Sequence, residues 1–270
     1  MKRNKKAIAS LLGVLAIEGV IIFLLSCTWT RTIMSGESTT AMTPSAALAQ
    51  RDRNVSKPGI APAKATAIPS SDKKEIKKIW KESKNTLVLV NVEKKLKTSY
   101  HSSLIPICQG RLQASEYLYE SLVQMLADAR EEGYQFFIAS AYRSRTKQQR
   151  LIDDGVRNKM RHGATYDEAI KKTYEKIMPA GHSEHETGLA LDILCSGNMN
   201  MDLSQKEEPG NQWLCKNCHK YGFILRYPES KEHVTNIAYE PWHFRYVGER
   251  AAKYMRENDM TLEEFWDNME

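Results

Sequence analysis

The chain has 270 residues, of which 41% are hydrophobic and 27% are charged, and its formal net charge is +6. The charge is unevenly distributed: residues 1–98 hold 18 Lys and Arg against 7 Asp and Glu, or +11, whereas residues 99–270 hold 21 against 26, or −5. An acidic C-terminal part without a basic stripe argues against a nucleic-acid partner, and the length allows one or two domains.

The first 27 residues have the character of a membrane-targeting segment. An apolar run over residues 7–25 follows four basic residues, Lys2, Arg3, Lys5 and Lys6. A run of about 20 residues can cross a bilayer with its positive flank inside. A cleaved signal sequence also fits, because Glu18 interrupts the run and the segment ending at Cys27 resembles a lipoprotein cleavage box. We favour an uncleaved anchor, and both interpretations predict tethering to the bacterial cell membrane with the remainder on the extracytoplasmic side.

Residues 28–78 are predicted to form a stalk. Ser, Thr, Ala and Pro dominate up to about residue 71, which is typical of a flexible spacer that cannot build a core. Lysines then cluster over residues 73–84, either as a solvated helix face or as a surface held near anionic lipid or envelope polymers. Residues 79–270 are predicted to form one folded domain.

The predicted domain mixes helical and strand-like patterns. Helices are expected over residues 114–132, where Gly133 follows as a cap, and over residues 146–161, with a strand over 135–142 between them. Thr165 and Glu168 have the spacing of a capping box, and the helix that they begin ends before Pro179. The remaining elements are strands at 189–194, 223–227 and 243–247 and helices at 213–221, 249–257 and from Thr261. This order predicts a single α+β domain.

Two short segments, residues 183–192 and 240–243, contain residues that suit a metal ion. A catalytic zinc takes three protein ligands from imidazole nitrogen and carboxylate oxygen and leaves a fourth position for water. His185, Asp192 and His243 supply such a set. Asp192 is the one acid in an apolar predicted strand, where an unpaired carboxylate is costly unless a cation lies beside it. A structural aspartate that accepts backbone hydrogen bonds is the alternative for Asp192 alone.

These segments carry motifs that resemble a known family. The pattern SxHxxGxAxD is matched over residues 183–192, ExWH over 240–243 and SxYRSxxxQ over 140–148. The three motifs, in this order, resemble those of the VanY-type zinc D-alanyl-D-alanine carboxypeptidases, a group related to the VanX dipeptidases and the L,D-carboxypeptidases. The similarity extends from about residue 86 to about residue 265. It implies a small antiparallel sheet flanked by helices, and a cleft that holds one Zn²⁺ per chain.

The resemblance also implies roles for individual residues. Glu240 would accept a proton from the attacking water and return it to the departing amine. Arg143 would stabilise the negative charge that develops on the scissile carbonyl oxygen. Gln148 would hydrogen-bond the peptide backbone, and further candidates for substrate contact are Ser183, Ser140 and Trp242. Arg226 could meet the terminal carboxylate or pair with Glu229, and both interpretations stay open.

The cysteines allow several interpretations. Residues 215–219 match the c-type haem attachment pattern, but the family resemblance continues through this segment, and we expect no haem. Apart from Cys27 there are four cysteines, Cys108, Cys195, Cys215 and Cys218. An even number in an exported domain allows one or two disulfides and, less readily, a structural zinc site. His182, beside Ser183, is an alternative candidate for metal contact, and we expect it to line the cleft.

Three functions are consistent with the sequence. The first is a D,D-carboxypeptidase that trims peptidoglycan precursor peptides ending in D-Ala-D-Ala, and so removes the target of vancomycin and other glycopeptides. The second is the same chemistry on the free D-Ala-D-Ala dipeptide, which a membrane tether disfavours, or on an L,D bond. The third is a metal-bearing domain that binds wall peptides or a protein partner without hydrolysis. The presence of both Glu240 and Arg143 argues against the third function, and no motif excludes the L,D alternative; we expect the first.

Overall fold

The computed structural model describes residues 70–269, so the predicted anchor and most of the predicted stalk lie outside the described residues. Within this range no helix is long and apolar enough to cross a membrane. The helices are α1 (Ser70–Ser83), α2 (Tyr119–Glu131), α3 (Arg145–Arg161), α4 (Tyr166–Tyr174), α5 (Pro209–Asn217), α6 (Glu232–Thr235), α7 (Glu249–Glu257) and α8 (Leu262–Met269). The strands are β1 (Leu104–Ile107), β2 (Leu112–Ser115), β3 (Phe136–Ser140), β4 (Ala190–Cys195), β5 (Phe223–Leu225) and β6 (His243–Tyr246). Short 3₁₀ helices lie at Glu116–Leu118, Glu184–Thr187, Leu203–Glu207, Cys218–Tyr221 and Glu229–Lys231.

A four-stranded antiparallel sheet forms the centre of the domain, with strand order β3-β4-β6-β5, and β1 and β2 form a separate antiparallel hairpin. All six residues of β4 are buried, as the apolar run in the sequence predicted. In the register of this sheet Asp192 pairs with Ser140 on one side and with His243 on the other. The expected α+β fold with a small antiparallel sheet is therefore confirmed.

Three hydrophobic clusters hold the helices in place. The largest packs α2 and α5 against the sheet, with Leu122, Ile193, Leu214 and Phe244 among its buried residues. A second joins α1, α7 and α8, and a third joins α3 to α4. Apolar contacts with the helices therefore support the sheet that carries Asp192 and His243.

Two predicted boundaries need correction. Helix α1 begins at Ser70, and its Ile76 is fully buried with residues of α7 and α8, so the last residues assigned to the stalk are part of the folded domain. The predicted helix over residues 114–132 begins five residues later, at Tyr119, because the backbone of residues 112–115 is used in pairing with β1.

Gly188 makes the turn that joins the 3₁₀ helix Glu184–Thr187 to β4. Its φ of +74° lies in the left-handed region that favours glycine. A Cβ at this position would lie 2.9 Å from Leu104 Cδ2 and 3.1 Å from the Ser115 backbone nitrogen. The turn therefore requires glycine, for its conformation and for the close approach of the hairpin.

Candidate active site

The structure brings the three predicted metal ligands together. His185 lies in the 3₁₀ helix Glu184–Thr187, Asp192 in the middle of β4 and His243 at the start of β6. The distance from His185 Nε2 to Asp192 Oδ2 is 3.1 Å, and that from His243 Nδ1 to Asp192 Oδ1 is 3.2 Å. One ligand atom from each residue lies within 4.8 Å of the others, and all three residues are buried. Within residues 70–269 this is the one such group of three or more potential ligands.

The chemistry of this group fits a zinc ion. Tetrahedral coordination at about 2.0–2.2 Å places ligand atoms roughly 3.3–3.6 Å apart, and each histidine nitrogen lies at nearly this distance from an Asp192 oxygen. Asp192 Oδ1 is buried and has no hydrogen-bond partner among the described residues. Although burial raises the pKa of Asp192, the neighbouring His185 and His243 hold it well below its usual range, so the carboxylate is ionised. A buried, ionised and incompletely paired oxygen is what a cation would compensate.

Hydrogen bonding fixes which nitrogen of His185 can bind a metal. Its Nδ1 lies 2.8 Å from the carbonyl oxygen of Ala141, which can only accept, so Nδ1 carries the proton and donates. The lone pair is then on Nε2, the atom that faces Asp192. Burial lowers the pKa of His185, which favours the neutral imidazole that a metal needs.

Glu240 lies at the open side of this group. Its Oε2 is 3.7 Å from His243 Nδ1, and its side chain is 25% exposed, whereas that of Asp192 is 5% exposed. Burial, supported by the charges of Asp192 and Glu184, raises the pKa of Glu240 to about 7 despite the opposing influence of His243. A carboxyl group with this pKa can both accept and release a proton near neutral pH.

The turn that carries Glu240 is held by backbone and side-chain contacts. The Glu240 backbone nitrogen donates to the Tyr227 carbonyl oxygen at 3.1 Å, and the His243 nitrogen donates to the Glu240 carbonyl oxygen at 3.2 Å. Buried Asn211 on α5 donates from Nδ2 to the Pro241 carbonyl oxygen at 2.7 Å. These contacts fix the spacing between the acid and the histidine.

Arg143 approaches the group from the end of β3. Its NH2 donates to Ser140 Oγ at 3.2 Å and lies 3.8 Å from Asp192 Oδ2, while NH1 donates to Gln148 Oε1 at 2.9 Å. Gln148 is almost fully buried and donates from Nε2 to the Met178 carbonyl oxygen at 2.6 Å. Ser140 and Gln148 therefore hold the guanidinium next to the candidate metal site. Whether Gln148 also contacts a substrate stays a prediction.

Comparisons with known proteins identify the family to which these motifs belong. A family model described as VanY, D-alanyl-D-alanine carboxypeptidase, matches residues 111–249. The chain belongs to the VanY family. It is 35% identical over 195 residues to the putative carboxypeptidase YodJ of Bacillus subtilis, which covers 68% of each chain. It is 32% identical over 204 residues to a D-alanyl-D-alanine carboxypeptidase of Enterococcus faecalis, covering 74% of this chain and 69% of that protein.

Solved structures of VanY relatives have the same fold. VanYB in complex with D-Ala-D-Ala has a TM-score of 0.61 and 31% identity, covering 68% of this chain and 99% of that chain. A VanY mutant from the VanB-type resistance cassette, in complex with Zn(II), has a TM-score of 0.60 and 32% identity, covering 67% and 99%. The LD-carboxypeptidase LdcB has a TM-score of 0.59 and 35% identity, covering 67% and 86%.

The other candidates around the VanY motifs are also placed. Ser183 is buried directly before the 3₁₀ helix Glu184–Thr187, and Trp242 is half-buried between the acid and the histidine of its motif. His182 does not belong to the metal group; its Nδ1 lies 2.9 Å from the Asn91 carbonyl oxygen. Contact of Ser183 and Trp242 with a substrate stays a prediction.

Sequence reasoning missed Glu184 and Arg245 and misplaced Arg226. The side chain of Arg226 is fully buried and bonded to Glu184 and Glu263, so it faces neither a substrate carboxylate nor Glu229. Glu184 also binds Arg245 and approaches His243. The available signal was that Glu184 lies inside the first metal-site motif, next to His185, and that Arg245 lies two residues after His243.

The four cysteines of the described part are free thiols, so the disulfides considered from the sequence are not formed there. Burial raises the pKa of Cys195 and of Cys215 to about 11 and that of Cys218 still further. They do not form a metal group within residues 70–269. These thiols are packed as small apolar groups rather than as nucleophiles.

Proposed function

We propose that this chain is a zinc-dependent D,D-carboxypeptidase that removes the terminal D-alanine from peptidoglycan stem peptides ending in D-Ala-D-Ala. The observation that carries the proposal is the buried group of His185, Asp192 and His243, with Glu240 3.7 Å from the last histidine. Membership of the VanY family and the similarity to VanYB, solved with D-Ala-D-Ala, support the reaction and the substrate class.

His185 Nε2, Asp192 and His243 Nδ1 would hold a zinc ion, which would supply a Lewis acid to activate a water and polarise the scissile carbonyl. The Glu240 carboxylate accepts one proton from the attacking water as the new C–O bond forms. It then delivers this proton to the amine of the departing D-alanine as the C–N bond breaks. A pKa near 7 suits both steps, and the partial exposure of Glu240 leaves it accessible to a substrate.

The guanidinium of Arg143 stabilises the charge that develops on the carbonyl oxygen. Although burial lowers the pKa of Arg143, the negative Asp192 and Glu240 oppose this effect, and the group keeps its proton at neutral pH. Because Ser140 and Gln148 fix its position before the reaction, little reorganisation is needed in the transition state. Ser183 and Trp242 are proposed to line the substrate site.

An L,D-carboxypeptidase is the second candidate, because the similarity to LdcB reaches 35% identity over 86% of that protein. Product analysis separates the two. Purified protein is offered peptides ending in D-Ala-D-Ala, D-Ala-D-lactate and L-Lys-D-Ala, and released D-alanine and shortened peptides are measured by mass spectrometry. We expect D-alanine from the first peptide, abolished by a chelator and by Glu240→Gln. Cleavage of the L-Lys-D-Ala bond alone would assign the second function.

The predicted N-terminal organisation leads to a further proposal, that residues 1–27 anchor the enzyme in the bacterial membrane and that its domain acts on the extracytoplasmic side. Removal of the terminal D-alanine there would lower sensitivity to vancomycin, because the antibiotic loses its D-Ala-D-Ala target. Sequencing of the mature N-terminus tests the anchor: a chain that starts at Cys27 would instead be a lipoprotein. Expression of the wild type and of Glu240→Gln in a susceptible strain tests the resistance.

A further inference from the structure

A buried ionic cluster, formed by Glu184, Arg226, Arg245 and Glu263, lies behind His243. Arg226 donates from Nε to Glu184 Oε1 at 2.8 Å and from NH1 and NH2 to Glu263 at 2.7 and 2.6 Å. Arg245 donates from NH1 to the same Glu184 Oε1 at 2.7 Å. The two guanidinium groups and the Glu184 carboxylate are completely excluded from solvent. One oxygen of Glu184 therefore accepts a hydrogen bond from each of the two arginines.

The second oxygen of Glu184 points at a proposed metal ligand. Glu184 Oε2 is 3.5 Å from His243 Nε2, and neither atom has a hydrogen-bond partner elsewhere among the described residues. The other ring nitrogen, Nδ1, faces Asp192 Oδ1 at 3.2 Å. His243 thus lies between two carboxylates, with one nitrogen directed at each.

Fold stabilisation alone does not account for this arrangement. Buried ion pairs are weak contributors to stability, because the cost of desolvation offsets much of the attraction. A cluster that served only the fold would be complete with both oxygens of Glu184 bonded to the two arginines. Instead, both guanidinium groups use Oε1, and Oε2 is left for the imidazole.

We propose that Glu184 is a positioning residue that sets the tautomer and ring orientation of His243. By accepting a hydrogen bond from Nε2–H, its Oε2 leaves the lone pair of the neutral imidazole on Nδ1, directed at the metal position. Arg226 and Arg245 keep Glu184 ionised and prevent it from rotating. The inference rests on the proposed metal role of His243 and adds the element that makes this nitrogen available.

Glu184→Gln tests the assignment because the arginines dictate how the new amide must lie. Its oxygen has to replace Oε1, since an amide NH₂ cannot face two guanidinium groups. The NH₂ group therefore points at His243 Nε2 and can only donate. This favours the lone pair on Nε2 and the proton on Nδ1, the tautomer that cannot bind the metal. The matched control is Glu263→Gln, which removes a carboxylate from the same cluster without contacting His243.

The first measurement is the zinc dissociation constant, determined by competition with a chromophoric chelator. We expect Glu184→Gln to bind zinc about 10- to 100-fold more weakly than the wild type, and Glu263→Gln to remain within about threefold. Equal affinity of Glu184→Gln and the wild type would overturn the inference. A wild type that bound no zinc would overturn the proposed function as well, so the two failures are distinguishable.

The second measurement needs no variant and stays decisive if Glu184→Gln fails to fold. In ¹¹³Cd-substituted, ¹⁵N-labelled wild type, the metal coupling of His243 is expected at Nδ1 and a slowly exchanging proton at Nε2. Coupling at Nε2 would overturn the inference, because Glu184 would then face a metal-bound nitrogen.

Discussion

Replacement of Glu240 by glutamine should reduce catalysis without reducing zinc binding. The amide has almost the same shape as the carboxyl group but cannot accept the proton of the attacking water, so we expect kcat to fall by about 10²- to 10⁴-fold. Zinc content should be unchanged, because Glu240 lies 3.7 Å from His243 and does not belong to the three-residue ligand group.

The same substitution should stabilise the zinc-free protein at alkaline pH. Burial raises the pKa of Glu240 from 4.5 to about 7, so between these values the folded state binds more protons than the unfolded state. The stability of the wild type therefore falls as pH rises through this window, and the loss is complete above pH 7. The pKa difference corresponds to about 3 kcal/mol at about 1.4 kcal/mol for each tenfold change. Glutamine does not ionise, so the variant avoids this loss of stability.

Urea unfolding of zinc-free wild type and Glu240→Gln at pH 4 and pH 8 measures the effect. The variant should gain about 3 kcal/mol on the wild type between the two pH values, or roughly 6–12 °C in Tm for a domain of this size. With zinc bound the gain should shrink, since a cation stabilises the ionised carboxylate. A difference in stability that did not change with pH would refute the assignment of the raised pKa to Glu240, and near wild-type turnover would refute its role as the base.

Three further outcomes follow from the contacts. Three variants should each lose zinc as measured by elemental analysis: His185→Ala, Asp192→Ala and His243→Ala. His182→Ala should retain zinc, because this histidine contacts the Asn91 carbonyl oxygen instead. Arg143→Ala should keep zinc and lower kcat and kcat/KM together by about 10²- to 10³-fold. Gln148→Ala should have a smaller effect, because Ser140 still holds the guanidinium. A change confined to KM in Arg143→Ala would contradict the proposed role. In thermal unfolding, Gly188→Ala should lower the free energy of unfolding by several kcal/mol more than Gly163→Ala. Both positions have a positive φ, so a backbone strain of about 1–2 kcal/mol is common to both, but only at Gly188 would the new Cβ meet neighbouring atoms.

Two residues of the candidate metal group, His185 and Asp192, have a local signal in the sequence. Asp192 is an acid inside an apolar strand, and His185 precedes a glycine that must turn the chain. The pairing of Asp192 with His243 is a long-range property of the sheet, which periodicity does not give. Family resemblance, rather than local pattern, connected the two segments.

The ionic cluster was not predictable in the same way. Charged residues are usually exposed, so a sequence gives no reason to bury Arg226 or Arg245 until their partners are known. Glu184 is 42 and 61 residues away from them along the chain. The β1–β2 hairpin was missed for a related reason: its strands have four residues each, too few for alternation to compete with the helical spacing that begins near Ala114.

Three carboxylates surround His243, and their different environments give them different pKa values and therefore different roles. Glu184 is neutralised by two arginines, which hold its pKa well below the usual range despite complete burial, so it remains an ionised acceptor. Asp192 is ionised and offers an oxygen that lacks a hydrogen-bond partner among the described residues, which suits a metal ligand. Burial, together with the like charges of Asp192 and Glu184, raises the pKa of Glu240 to about 7, and among the three carboxylates only this pKa rises. Because proton transfer near neutral pH requires a group that exists in both forms, Glu240 is the one carboxylate of the three that can serve as the base.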